Sequence, residues 1–126
     1  MDRLPIEHPT GQYNVYVGYE LFSRVNELCP LNGGVALVTD TTVGPLYAQK
    51  LASQIDNETT IITVPAGEKY KTLETVRQIY DEMFAAGLDR KATVVALGGG
   101  VINDVAGFAA ATFMRGVDFV TCPTTL

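Results

Sequence analysis

The chain is poor in several residue types whose absence is informative. In 126 residues it has no tryptophan, one histidine and two cysteines. Cys29 and Cys122 are too few for the patterned framework of a disulfide-rich secreted domain, and they do not form a C-x-x-C pair. They read instead as two reduced thiols in a cytoplasmic protein. With His8 as the single histidine, the chain lacks the ligands for a zinc site of its own. No apolar run approaches the roughly 20 residues that a membrane helix needs. The opening MDRLPIEHPT has no hydrophobic stretch of the signal-peptide kind. Cationic residues are scarce too, with 9 Lys and Arg against 14 Asp and Glu, for a net charge of -5. A chain of that charge offers no broad attraction to nucleic acid or to an anionic membrane surface. A local basic spot still suits a small anion.

What is present fits one globular domain over residues 1–126. Apolar residues make up 47% and charged residues 18%, and a chain of this size buries a core without metal or disulfide staples. Residues 14–17 alternate and read as a strand ending at Gly18. Residues 19–28 carry Leu21, Phe22, Val25 and Leu28 at helical spacing, closed by Pro30 and the Asn32-Gly33-Gly34 turn. Three continuous apolar runs, residues 35–39, 59–64 and 93–97, and a shorter one at 119–121, read as strands buried on both faces. Between them, residues 46–55, 72–86 and 103–113 read as helices. The second of these has Thr72 as N-cap and Gly87 as C-cap glycine. Strands alternating with helices in this way predict βαβ units. The fold class is therefore α/β, a Rossmann-like, largely parallel sheet with helices on both faces.

In such sheets ligands bind at the carboxyl ends of the strands. Those ends carry Asp40-Thr41-Thr42, then Gly67-Glu68 with Lys71, then Gly98-Gly99-Gly100 with Asp104, then Thr124-Thr125. The triple glycine lets the main chain approach a ligand, and the helix start behind it suits a pyrophosphate. Asp104 beside a pyrophosphate would repel it, so it is better suited to accept hydrogen bonds from ribose or substrate hydroxyls. A tight strand-to-helix turn explains the same glycines, because G-G-G is not the G-x-G-x-x-G fingerprint. Glu68 and Lys71 read either as a solvated ion pair or as a ribose-holding carboxylate beside an anion-binding ammonium. Asp40 reads as a turn former or a ligand contact. Thr124 and Thr125 read as strand-end polar residues or ligand contacts. Arg115 suits bidentate recognition of carboxylate or phosphate, or stabilises a helix C-terminus.

Together these pieces resemble one family. The segment GGGVINDVAGFAAATFMRGVDFVTCPTTL (residues 98–126) resembles the signature region of dehydroquinate synthases. PAGEKYKTLETV (residues 65–76) and VTDTTV (residues 38–43) resemble two further blocks, in the same order. The resemblance implies the N-terminal domain of the dehydroquinate synthase-like fold, with NAD held between it and a mainly helical C-terminal domain. It places Asp40, Thr42, Glu68 and Lys71 at nucleotide-contacting positions. It also places Gly99, Gly100, Val101 and Asp104 in the central cofactor loop, Thr124 and Thr125 at another cofactor-contacting pair, and Arg115 at a substrate-region arginine. No catalytic or metal-binding residue of the family falls within the chain. The family's aspartate, lysines and metal-binding glutamate and histidines come later. A divalent metal, zinc or cobalt, is thus expected only with that further sequence. Asn103 departs from the family's usual glycine, a substitution that a positive φ there would favour.

The reaction implied by the resemblance converts 3-deoxy-D-arabino-heptulosonate 7-phosphate, a phosphorylated sugar acid, into 3-dehydroquinate and phosphate within the shikimate pathway. NAD transiently oxidises a substrate hydroxyl so that phosphate can leave. Two alternatives stand beside it. One is a related sugar-phosphate cyclase or metal-dependent alcohol dehydrogenase domain. The other is a non-catalytic nucleotide-binding or oligomerisation module. A homo-oligomer is expected, with the strand at 119–122 or the cleft surface at the contact.

Overall fold

The computed structural model describes residues 1–124 and separates a small N-terminal ribbon from a layered body. Four parallel strands form the body's sheet: β3 (Val35–Asp40), β4 (Thr59–Val64), β5 (Thr93–Gly98) and β6 (Asp118–Pro123), in the order β4-β3-β5-β6. Helices α2 (Gly44–Gln54), α3 (Leu73–Ala85) and α4 (Gly100–Thr112) connect them, as the βαβ reading requires. The sheet has a core on each face. On one face α2 and the short α1 (Val25–Leu28) cover Leu37, Val95 and Leu97 with Val25 and Leu51. On the other, α3 and α4 cover Val38, Ile62 and Ala96 with Ile79, Met83, Val105 and Ala109. The buried face of α4 includes Ala106, Ala109 and Ala110, whose small side chains let the helix lie close to the strands. Phe113 fills the space at its end.

Double coverage explains why β3 and β5 are apolar along their length. Val35–Val38 in sequence, and Val94–Leu97, are wholly inaccessible. The expectation that the other two strands are equally buried is corrected. In β4 only Ile62 and Val64 are buried, and in β6 no residue is. Both are sheet edges, and an apolar run does not distinguish an edge strand from a central one.

Two other departures concern the N-terminal segment. The helix expected at residues 19–28 is broken into a 3-10 turn, Leu21–Arg24, followed by the four residues of α1. Glu20 is left-handed (φ 59°), and Arg24 leaves helical geometry at the junction. A strand unread in the sequence, β1 (Asp2–His8), pairs antiparallel with β2 (Gly11–Val17) through a two-residue turn at Pro9 and Thr10. Its alternation is interrupted by Pro5, which hides it from pattern reading.

The ladder between β3 and β5 runs from Val35↔Thr93 to Val38↔Ala96 and stops there. One residue on, the buried Thr39 hydroxyl donates to the Leu97 carbonyl at 2.9 Å.

Candidate functional site: the carboxyl edge of the sheet

Because all four body strands run parallel, their carboxyl ends share one edge. The chain leaves β3 through α2 toward β4, and leaves β5 through α4 toward β6. The connections therefore diverge between β3 and β5, the position at which open α/β sheets hold ligands. Asp40 and Gly98 end the two strands that flank it.

Three helices of the body begin near this edge, and they differ in what satisfies their first N–H groups. At the entry to α2, Asp40 Oδ1 accepts from the Thr42 and Val43 amides at 2.9 and 2.7 Å. At α3, Thr72 Oγ1 accepts from the Thr75 amide at 3.2 Å. At α4 the N-cap is Gly99, which has no side chain to offer. No side chain caps α2 at Val43 either, although Asp40 holds the two amides that lead into it; the α4 terminus has free donors and a positive dipole end with no such carboxylate before them, and a phosphate group is a natural partner for such a terminus.

The three glycines serve different ends. At Gly98 a Cβ would lie 3.0 Å from Ile102 Cβ, at φ 159°, so glycine there is demanded by packing. Gly99 is extended. At Gly100 a Cβ would meet nothing within 4 Å. The chain's own packing does not require glycine at that point, which leaves open space beside the free N–H groups of α4. A dinucleotide's pyrophosphate fits that combination of donors and space. Val101 follows in the first turn and is half-buried.

Asp104 lies one turn into α4. Its Oδ2 accepts from Lys71 Nζ at 2.8 Å, and the same ammonium is 3.9 Å from Glu68 Oε1. The structure thus gathers three candidate residues, two from the β4–α3 connection and one from α4, into one charged group. The hydrogen bond from Lys71 to Asp104, the charge of Asp104 and then that of Glu68 hold the lysine above its ordinary pKa. All three side chains are substantially exposed, at 45–78%, so the pairing contributes little to stability. Its chemical effect is local: the ammonium offsets one carboxylate beside the phosphate-ready helix start. The repulsion that Asp104 alone would exert is thereby reduced, while carboxylate oxygens stay open to hydroxyl donors.

Thr41, which carried no role in the sequence, ties two strand ends together. Its hydroxyl accepts from the Ala66 amide at 3.1 Å, and its amide donates to the Val64 carbonyl at 3.1 Å. Its place within Asp40-Thr41-Thr42 was the only signal available. The Thr124 amide donates to the Gly98 carbonyl at 3.0 Å, which fixes the end of β6 against the glycine loop. Thr125 lies outside the described residues. Asn103 sits inside α4 and is not among the positive-φ residues, so the conformational reason offered for it is corrected. Its amide oxygen instead accepts from the Thr121 hydroxyl at 2.7 Å, joining α4 to β6.

Arg115 is not brought to this edge. It follows the far end of α4, whose 13 residues span roughly 20 Å. There Met114 and Arg115 both take left-handed backbone (φ 49° and 69°). Among the described residues no group of three or more His, Cys, Asp or Glu is placed to hold a metal ion. The residues present do not fit a metal, and no chemistry is routed through one here. No helix among the described residues is long and apolar enough to cross a membrane.

A parallel α/β sheet with an uncapped, glycine-led helix start at its topological switch defines a Rossmann-like, phosphate-ready domain. The comparisons narrow this class. A family model described as 3-dehydroquinate synthase N-terminal matches residues 61–126, and the chain belongs to that family. It is 43% identical over 129 residues to a 3-dehydroquinate synthase of Pseudomonas entomophila (strain L48), covering 100% of this chain and 35% of that protein. It is 44% identical over 131 residues to one from Nitrosomonas europaea, again covering 100% and 35%. The chain thus spans about a third of the length of the curated relatives it matches. A crystal structure of 2-deoxy-scyllo-inosose synthase complexed with carbaglucose-6-phosphate, NAD+ and Co2+ superposes with a TM-score of 0.92 at 27% identity, covering 98% of this chain and 35% of that one. The 2-epi-5-epi-valiolone synthase of Streptomyces hygroscopicus subsp. jinggangensis 5008, solved with NAD+ and Zn2+, gives 0.77 at 36% identity, covering 90% and 32%.

Proposed function

We propose that residues 1–126 form the NAD-binding domain of a 3-dehydroquinate synthase, acting on 3-deoxy-D-arabino-heptulosonate 7-phosphate in the shikimate pathway. The observation that carries this reading is the uncapped start of α4 behind Gly98–Gly100, with Asp104, Lys71 and Glu68 grouped beside it. The names of the relatives give the product, 3-dehydroquinate, and the NAD+ in the two solved synthases supports the cofactor.

On this reading the amides of Gly100 and Val101 bind the pyrophosphate, and Asp104 and Glu68 accept hydrogen bonds from ribose or substrate hydroxyls. Lys71 orients Asp104 and offsets its charge. Asp40 and Thr42 border the nucleotide from the β3 side, and Thr124 borders it from the β6 side. NAD, when bound, supplies the hydride chemistry, and the chain's own groups hold and orient it. Arg115 lies at the opposite end of α4, so a substrate contact for it needs another part of the complete enzyme. The zinc or cobalt ligands and the second wall of the cleft belong to sequence outside the chain. The 126 residues alone are accordingly expected to bind NAD weakly and not to turn over. The location proposed for the enzyme is the cytoplasm.

The test is NAD affinity, measured by calorimetry on the complete enzyme, for Asp104→Asn beside the parent. Asp104→Asn is nearly isosteric and leaves the thermal midpoint in place. Loss of a charged acceptor costs about 1.5–3 kcal/mol, which is a tenfold or greater loss of NAD or substrate affinity. Unchanged affinity for both would remove Asp104 from the site. Turnover of the heptulosonate phosphate by the complete enzyme separates this reading from the related sugar-phosphate cyclases.

A further inference from the structure

Among the described residues three polar side chains are buried, those of Thr39, Thr75 and Thr93. Two of them serve nearby backbone. Thr75 shares a hydrogen bond with Thr72, the cap of α3. Thr93 secures the amino end of β5: its hydroxyl donates to the Asn32 carbonyl at 2.9 Å and accepts from the Asn32 amide at 3.0 Å. Thr39 stands instead at the carboxyl end of β3, one residue before Asp40 and beside the crevice between β3 and β5.

A valine would fill the same space with no hydroxyl to desolvate, so packing alone does not call for threonine at this position. The Thr39 hydroxyl meets the Leu97 carbonyl, and Leu97 is itself wholly inaccessible and one residue short of the glycine loop. Backbone pairing of β3 with β5 ends at Val38↔Ala96. Beyond that rung the hydroxyl carries the link between the strand ends. The methyl group works in another direction. A Cβ on Gly44, the first residue of α2, would lie 3.0 Å from Thr39 Cγ2. One buried side chain therefore touches both turns that flank the crevice. The next two residues extend the pattern, with Asp40 holding the entry to α2 and Thr41 bound to the Ala66 amide beyond β4.

We infer that Thr39 is a positioning residue for the dinucleotide, holding the Gly98–Gly100 loop at a fixed separation from Asp40 so that one NAD molecule meets both. The inference rests on the NAD-binding reading above. Thr39 is wholly buried, so it touches no ligand and acts through Leu97 and Gly44. Without its hydroxyl the loop spends only part of its time in the position that binds NAD, and the apparent affinity falls by that fraction. Bound NAD restores the position, so the steps that follow binding keep their rates.

Calorimetry on the complete enzyme, well below its thermal midpoint, should show NAD bound about three- to tenfold more weakly by Thr39→Val, in line with the net contribution of one hydrogen bond. At saturating NAD, kcat and the KM for the heptulosonate phosphate should match the parent's. Thr39→Ser keeps the hydroxyl and gives up the methyl, so it should retain the parent's NAD affinity while lowering the midpoint. Thr93→Val is the control. It removes a buried threonine hydroxyl from the other end of β5, and should lower the midpoint with NAD affinity unchanged. Parent-like affinity in Thr39→Val, equal losses in Thr39→Val and Thr93→Val, or a loss in Thr39→Ser as large as in Thr39→Val would each overturn the inference and leave the NAD-binding reading standing. A parent enzyme that binds no NAD would overturn both.

Discussion

Strands β1 and β3 differ far more in their surroundings than in their capacity to form strands. All seven residues of β1 are exposed, whereas five of six in β3 are buried. Both adopt extended backbone and complete a ladder. What β3 has in addition is a parallel neighbour on each side and crossover helices over both faces, and these alone remove its side chains from water. Strand propensity thus reflects fit to a pleated surface, while burial is conferred by topology.

The largest effect that tests this contrast is truncation of matched apolar residues. Leu37→Ala should lower the stability of the body by about 2–5 kcal/mol, because a fully buried side chain leaves a cavity. Ile6→Ala on the ribbon should change it by no more than about 0.5 kcal/mol. Denaturant unfolding, at a concentration low enough to keep chains apart, compares the two. Equal losses would show the ribbon to be part of the cooperative core.

A smaller effect sharpens the comparison within the glycine loop. Gly98→Ala drives a methyl group against Ile102 and should cost about 1–3 kcal/mol. Gly100→Ala enters open space at a helix start and should leave the thermal midpoint almost unmoved. In the complete enzyme its effect should fall on NAD affinity. If Gly98→Ala is neutral, the loop is looser than its packing implies.

The effect that is smallest at neutral pH concerns the two thiols. Burial, and then the proximity of Cys29, push the Cys122 thiol up to about 12 from an ordinary value near 9. A folded-state pKa above the unfolded one means that the unfolded chain loses its proton first. Stability should therefore fall as pH rises from about 9 toward 12, by at most ~1.4 kcal/mol per pH unit. Lys71, also raised, acts in the same direction above its own ordinary value of 10.5. Cys122→Ala should flatten the decline and leave the parts due to Lys71 and to Cys29, whose thiol burial also raises. Thermal midpoints across that range distinguish them, and an unchanged slope would show that Cys122 is free to ionise in the folded protein.

How much of this was legible in the sequence depended on the range of the governing contacts. β4 matched its apolar run, and α3 followed from Thr72 and a 3.6-residue period, because those signals are local. The start of α4 lies three residues before the reading from the sequence, since glycines discourage a helix assignment although the helix begins at Gly100 itself. The exposure of β6 was hidden, because no residue in Phe119–Val120–Thr121 records whether a neighbour lies beyond. Of the candidate site, the glycines and Asp104 were found from their place after a strand. The joining of Lys71 to Asp104 was not, because it links the β4–α3 connection to α4, which only the folded sheet brings together.

The short ladder between β3 and β5 has a mechanical consequence. Past Val38↔Ala96 these strands share no backbone pairing, while each stays laddered to its outer neighbour, as far as Asp40↔Val64 on one side and Gly98↔Pro123 on the other. The sheet's carboxyl edge is thus a seam between two laddered halves, closed by one stitch from Thr39 to Leu97. Asp40 ends one half and the glycine loop ends the other. A ligand spanning the crevice between them would press on that stitch.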